Sequence, residues 1–164
     1  MPLPPWRYDI DSLDNRDPAL IDRLARRIVP AFDRFFRAEV FGLERIPPGA
    51  GLYVGNHSGG TLSPDSFVFG GAVYRRFGLR ECPYGLGHEV SICLPGIHQV
   101  VVPLGAVRAS HENARRLFAR GHKVLVYPGG DEDALRPFRL RHRIVFGERR
   151  GYVRLALRES VPIL

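Results

Sequence analysis

Lys123-Val124-Leu125-Val126-Tyr127-Pro128-Gly129-Gly130 decides the fold. A short apolar run that ends in Pro-Gly-Gly reads as a buried strand entering a tight turn. Just before it, Ser110 reads as a helix N-cap, Ala114, Leu117 and Phe118 recur at helical spacing, and Gly121 ends the helix. A helix followed by a glycine, a buried strand and a glycine turn is the unit from which parallel sheets are built, because parallel neighbours need a crossover between them.

The same grammar extends outward. Leu52 to Asn56 is a second strand, entering a loop from His57 to Leu62, and Ser63-Pro64 predicts an N-cap and first-turn proline for a helix through about Phe77. Gln99 to Leu104 and Ile144 to Phe146 are expected as further strands, and Tyr152 to Leu157 as a helix. Val161-Pro162-Ile163-Leu164 begins another strand and stops on apolar residues, so the chain is expected to be an N-terminal piece of a longer one. The expected class is α/β: a mostly parallel central sheet flanked by helices, preceded by an N-terminal amphipathic helical segment.

Three regions follow from composition. Residues 1–16, rich in proline and aspartate, read as an arm; residues 17–46 as the amphipathic helical segment; residues 47–164 as the α/β domain. In the second region Leu20, Ile21, Leu24, Ile28, Phe32, Phe35, Phe36 and Val40 recur at helical spacing, while Arg23, Arg26, Arg27, Arg34 and Arg37 occupy much of the remaining surface. Pro30 inside the pattern predicts a kink or two abutting helices. The apolar face either packs on the domain or lies on a membrane with its arginines against anionic lipid.

The 164 residues suit one domain, and 45% hydrophobic with 25% charged residues excludes a disordered chain. The net charge of +7 favours anionic partners: a membrane surface, nucleic acid or a phosphorylated substrate. No stretch matches a transmembrane helix; Ile92 to Val107 comes nearest and is broken by Pro95, Gly96, His98, Gln99, Pro103 and Gly105. Met1 to Ile10 has no apolar run of the secretory kind, and Cys82 and Cys93 read as the reduced thiols of a cytoplasmic protein.

The chemistry concentrates in Val54-Gly55-Asn56-His57-Ser58-Gly59-Gly60-Thr61-Leu62-Ser63-Pro64-Asp65. A histidine at the end of a buried strand sits where open α/β sheets place their sites. Asp65, in the first turn of the next helix, can fold back to fix the tautomer of His57 and leave its other nitrogen as a general base. The alternative is a loop histidine beside a helix-capping acid. No Gly-x-Ser-x-Gly elbow is present, so a serine hydrolase is disfavoured. Gly129 and Gly130 either present backbone N–H groups to an oxyanion or simply make a turn. Asp131, Glu132 and Asp133 lack a fixed metal-ligand spacing and are expected in a solvated loop, so no metal and no resident cofactor is expected.

Together these blocks resemble the glycerolipid and lysophospholipid acyltransferase family. The resemblance runs from about Phe41 to Leu164. It rests on Asn56-His57 after a strand, Gly105 to Arg108, Tyr127-Pro128-Gly129-Gly130, Arg149 to Leu157, and Val161-Pro162-Ile163. The Tyr-Pro-Gly-Gly form is closest to the diacylglycerol-acyltransferase-like branch and implies a neutral lipid alcohol as acceptor. The resemblance implies His57 as the base, oriented by Asp65, and acyl-CoA or acyl-ACP as co-substrate. Asn56, Ser58, Gly59, Gly60, Arg108, Pro128, Gly129, Gly130 and Glu132 would lie at the substrates. It also implies a peripheral enzyme on the cytoplasmic face of a membrane. The family's spacing would put the acid at Leu62; here Asp65 lies three residues later, across an enlarged loop. The competing expectation is a non-catalytic basic module that binds lipid or nucleic acid.

Overall fold

The computed structural model describes residues 7–57 and 63–164. Its centre is a sheet of four parallel strands among the described residues: β1 (Gly51–Val54), β2 (Tyr84–Gly87), β3 (Ala106–Arg108) and β4 (Lys123–Val126), in the order β1-β4-β2-β3. Beyond β1, the last residues begin a further pairing. Leu52 N–H donates to the Pro162 carbonyl at 2.9 Å, and Leu164 N–H returns to Leu52 at 2.8 Å. The α/β class is therefore as expected.

Alternation along the strands decides what each face holds. Leu52, Val107 and Val124 point to one face and are buried there with Ala114, Leu117 and Phe118 of α6 (His111–Ala119) and Leu155 and Ala156 of α8 (Gly151–Glu159). Tyr53, Leu125 and Tyr127 take the other face, where Tyr53 meets Phe69 of α3 (Pro64–Phe77) edge to face at 4.9 Å. Ser110 caps α6 by accepting the Asn113 N–H at 3.1 Å, and Gly121 closes it at φ +76°, as the sequence predicts.

Two expected strands are absent. His98–Val101 is a short helix, α5, and the strand falls later, at β3. Helix α5 follows the turn at Pro95-Gly96, where Gln99 Oε1 accepts the Gly96 N–H at 2.7 Å and starts a helical turn. Residues 144–146 lie in irregular backbone without a strand partner. Strand β2 was not expected, because Gly85 and Gly87 dilute its apolar pattern; a Cβ at Gly87 would overlap Ile92 of α4 (Glu89–Ile92).

The N-terminal helical segment is one continuous run with a defect. Helix α1 (Pro18–Arg23), capped by Asp17, passes through a π-helical turn (Leu24–Ile28) into α2 (Val29–Phe36). Pro30 has no N–H to give the preceding turn, and the wider turn absorbs the mismatch. Ile21, Ala25 and Val29, spaced by four, are buried, whereas Ile28, Phe35 and Phe36 are exposed. Val29 sits over Gly71 of α3, where a Cβ would stand 2.6 Å from its Cγ1. Gly71→Leu is expected to cost roughly 1–3 kcal/mol through overpacking, read as a lowered midpoint in urea denaturation.

The arm's described part, residues 7–16, is strapped across the far side of the sheet. Arg108 N–H donates to the Ile10 carbonyl at 2.9 Å, which covers the outer edge of β3. Leu13 is buried, and the Arg16 guanidinium stacks on Tyr84 at 3.5 Å while donating to the Cys82 and Pro83 carbonyls. At the same amino-terminal end of the strands, Lys123 is 1% exposed and its ammonium is divided between Glu81 (2.6 Å) and the Gly49 carbonyl (2.7 Å).

Candidate active site

Parallel strands deliver their C-terminal ends to one edge of the sheet, and β1 and β4 are neighbours there. Val54 is in register with Val126, so the segments leaving the two strands, Gly55-Asn56-His57 and Tyr127-Pro128-Gly129, emerge side by side. Gly55 is needed at this crossing: a Cβ there would lie 2.8 Å from Cε1 of Tyr127.

His57 is held from two directions. Its ring meets Tyr127 edge to face at 4.5 Å. Its backbone N–H donates to Oδ2 of Asp133, and the same oxygen lies 3.8 Å from His57 Nδ1. Asp133 belongs to α7 (Gly130–Ala134) and is 0% exposed. Its other oxygen takes a charge-assisted hydrogen bond from Arg136 at 2.6 Å.

Asp65 joins the cluster through Tyr127. The tyrosine hydroxyl donates to Asp65 Oδ2 at 2.8 Å and lies 2.6 Å from Ser66 Oγ. Burial pushes the phenol well above its ordinary range, so it stays a donor. His57 and Asp65 therefore stand on either side of Tyr127 without a hydrogen bond to each other. Nδ1 of His57 and Oδ1 of Asp65 are both buried and have no hydrogen-bond partner among the described residues. Ser63 occupies the N-cap position of α3 at φ +39°, but its side chain makes no capping bond; its carbonyl accepts the Ser66 N–H.

Burial lowers the His57 pKa below its ordinary 6.5; the Asp133 and Asp65 carboxylates pull it back up and Arg136 adds to the lowering. The result is an imidazole that is neutral at neutral pH and faces two carboxylates, the electrostatics of a general base.

The expected substrate residues are distributed unevenly. Asn56 adjoins His57 at the end of β1. Ser58, Gly59 and Gly60 lie outside the described residues. Gly129 and Gly130 form a tight turn: Gly130 N–H donates to the Tyr127 carbonyl at 3.1 Å, and a Cβ on Gly129 would overlap Asp133 and the Val145 carbonyl. Arg149 fastens this turn, donating to the Gly129 carbonyl at 3.0 Å and pairing with Asp131 (2.8 Å) and Glu132 (3.2 Å). Pro128 lines a second, smaller cleft of about 250 Å³ on the other face of the sheet. Arg108 ends β3, three strands from β1 in the sheet order, with its guanidinium engaged by Asp11 and Glu89.

Asp133 corrects one expectation. Asp131 and Glu132 are solvated, but the third acid is buried against His57. The signal available in the sequence was Arg136, one helical turn after Asp133. No group of metal-ligating side chains is found among the described residues. Beside the cluster runs an apolar cleft of about 370 Å³, walled by Phe41, Ile46, Tyr53 and Phe69, with Asp65 and Tyr127 on its polar side.

An α/β sheet with a histidine at a strand's carboxyl end, carboxylates around it and an apolar cleft alongside defines a candidate enzyme for an apolar substrate. Known proteins bear on which one. An uncharacterized protein of Mycobacterium tuberculosis is 31% identical over 159 residues, 96% of this chain and 44% of that protein. Two mammalian proteins named as DGAT1/2-independent enzymes synthesizing storage lipids are also similar. The human one is 30% identical over 127 residues, 77% of this chain and 38% of that protein; the mouse one is 29% identical over 126 residues. The chain spans less than half the length of these relatives. No family model and no solved structure matches it.

Proposed function

We propose that this chain carries the catalytic part of a lipid O-acyltransferase of the glycerolipid acyltransferase family, with His57 as its general base. The observation that carries the reading is the half-buried His57 clustered with Tyr127, Asp65 and Asp133 beside an apolar cleft. The similarity to enzymes named for storage-lipid synthesis supports it.

In this reading Nε2 of His57 takes the proton of the acceptor hydroxyl as the oxygen attacks the thioester carbonyl. The tetrahedral intermediate collapses with cleavage of the C–S bond, and the imidazolium returns its proton to the departing thiolate. The products are a lipid ester and the free thiol of CoA or acyl carrier protein. Asp133 and Asp65 stabilise the transient imidazolium, and Tyr127 keeps Asp65 in place. The cleft takes apolar chains.

A neutral lipid alcohol is the favoured acceptor. Among the described residues the guanidinium that reaches the Gly-Gly turn, that of Arg149, is neutralised by Asp131 and Glu132. Phosphorylated acceptors are bound through free, fork-shaped donors. The test is release of thiol and formation of lipid ester by the intact protein, with monoacylglycerol, diacylglycerol or lysophosphatidate offered as acceptor. Transfer to a neutral acylglycerol is the expected result. Transfer confined to lysophosphatidate would overturn the acceptor class, and no transfer to any lipid would overturn the enzyme reading. A peripheral position on the cytoplasmic face of a membrane completes the proposal; no helix among the described residues is long and apolar enough to cross one.

A further inference from the structure

Residues 134–147, Ala-Leu-Arg-Pro-Phe-Arg-Leu-Arg-His-Arg-Ile-Val-Phe-Gly, hold four arginines and a histidine and no carboxylate. Leu135, Phe138 and Ile144 are 72%, 78% and 67% exposed. Between them Arg139, Arg141 and Arg143 are also exposed and form no ion pair among the described residues. Arg141 lies over the Phe138 ring at 4.2 Å, so the aromatic and the cation project together.

The segment is fastened at both ends. At its start Arg136 binds buried Asp133, which holds the His57 N–H. Near its end Phe146 packs on Tyr152 of α8 at 5.9 Å, and the Val145 carbonyl seats against Gly129. What protrudes is the middle, with large apolar groups set among unpaired guanidinium groups. Water is a poor environment for the first and an acidic protein surface wastes them; hydrocarbon beneath a layer of phosphate headgroups satisfies both.

We infer that residues 135–144 form a membrane-docking loop for anionic phospholipid, inserting Leu135, Phe138 and Ile144 while Arg139, Arg141 and Arg143 contact headgroup phosphates. The loop is separate from the aromatic end of α2, and its tie to His57 through Asp133 would set the reacting histidine close to the lipid surface. The inference deepens the peripheral-enzyme reading but is tested by binding alone.

The experiment is flotation of the intact protein with phosphatidylcholine vesicles, with and without phosphatidylglycerol. Wild type is expected to float with the anionic vesicles, less so as salt rises. Arg139→Gln/Arg141→Gln/Arg143→Gln is expected to lose roughly fivefold in partitioning per arginine and most of the salt dependence. Leu135→Ser/Phe138→Ser/Ile144→Ser should lose about tenfold or more. A Phe138→Trp protein in a Trp6→Phe background adds a direct reading: its emission should shift to the blue on anionic vesicles and be quenched by brominated lipid. Undiminished flotation of both triple variants, or an unshifted and unquenched tryptophan, would overturn the proposal. So would loss of flotation only in a Phe35→Ser/Phe36→Ser protein. His57→Ala should float as wild type does, so failure of catalysis and failure of docking are read apart.

Discussion

His57→Ala is expected to lower acyl transfer by about 10²–10⁴-fold, the usual contribution of a positioned general base, with little change in thermal stability. The side chain is partly exposed at the end of β1 and donates no side-chain hydrogen bond to the fold, so its removal leaves the sheet intact. The pH dependence carries the sign of the mechanism. Activity requires the neutral imidazole, and burial lowers the pKa in the folded protein below 6.5. The rate should therefore be flat through neutrality and fall as pH drops below the ordinary histidine range. In Asp65→Asn the remaining neighbours include Arg136, and loss of a carboxylate that raises the pKa moves the acid limb lower still. Steady-state kinetics across pH measure both. Full turnover in His57→Ala would remove the base from the mechanism, and an acid limb above the ordinary histidine range would contradict the burial argument.

Asp133→Ala is expected to be the most destabilising single change at the site, by about 3–5 kcal/mol, because it strands a buried guanidinium and leaves the His57 N–H without its acceptor. For a chain of this size each kcal/mol lowers the melting temperature by roughly 2–4 °C. Asp133→Leu combined with Arg136→Met should recover much of that loss, since a buried ion pair replaced by apolar groups is often neutral. The double variant should not recover activity, because its apolar side chains cannot accept the histidine-loop N–H. Calorimetry and transfer assays on the same three proteins separate these effects. A melting temperature unchanged in Asp133→Ala would show that the pair is not buried in solution.

The parts legible in the sequence were those in which local chemistry and tertiary position agree. Ser110 with Gly121 bounded a helix, Leu52 and Val124 marked buried strands, and His57 lay where a strand hands the chain to a loop. The parts that were not legible depended on hydrogen-bond partners that an apolar pattern does not register, some of them distant in the chain. Gln99 to Val102 are as β-prone as any strand here, yet their helix is started by a local side-chain bond at Gly96. Strand β2 carries two glycines and was invisible to an apolar pattern; it is a strand because β3 and β4 offer it hydrogen bonds on both sides. At the site, Asp65 was identified but its partner was not. It accepts its hydrogen bond from the Tyr127 hydroxyl, 62 residues away along the chain. Asp133 looked like one of three solvated acids, and only the fold separates it from the other two.

Burial of Lys123 has a chemical consequence. It is the only lysine in the chain, and 23 arginines supply the rest of the cationic charge. With that amine enclosed between Glu81 and Gly49, the described surface offers no lysine nucleophile. Thioesters acylate free amines without a catalyst, whereas guanidinium groups stay protonated and inert. Under the proposed acyl transfer, a surface whose cations are arginines attracts anions without offering a lysine amine to the acyl donor.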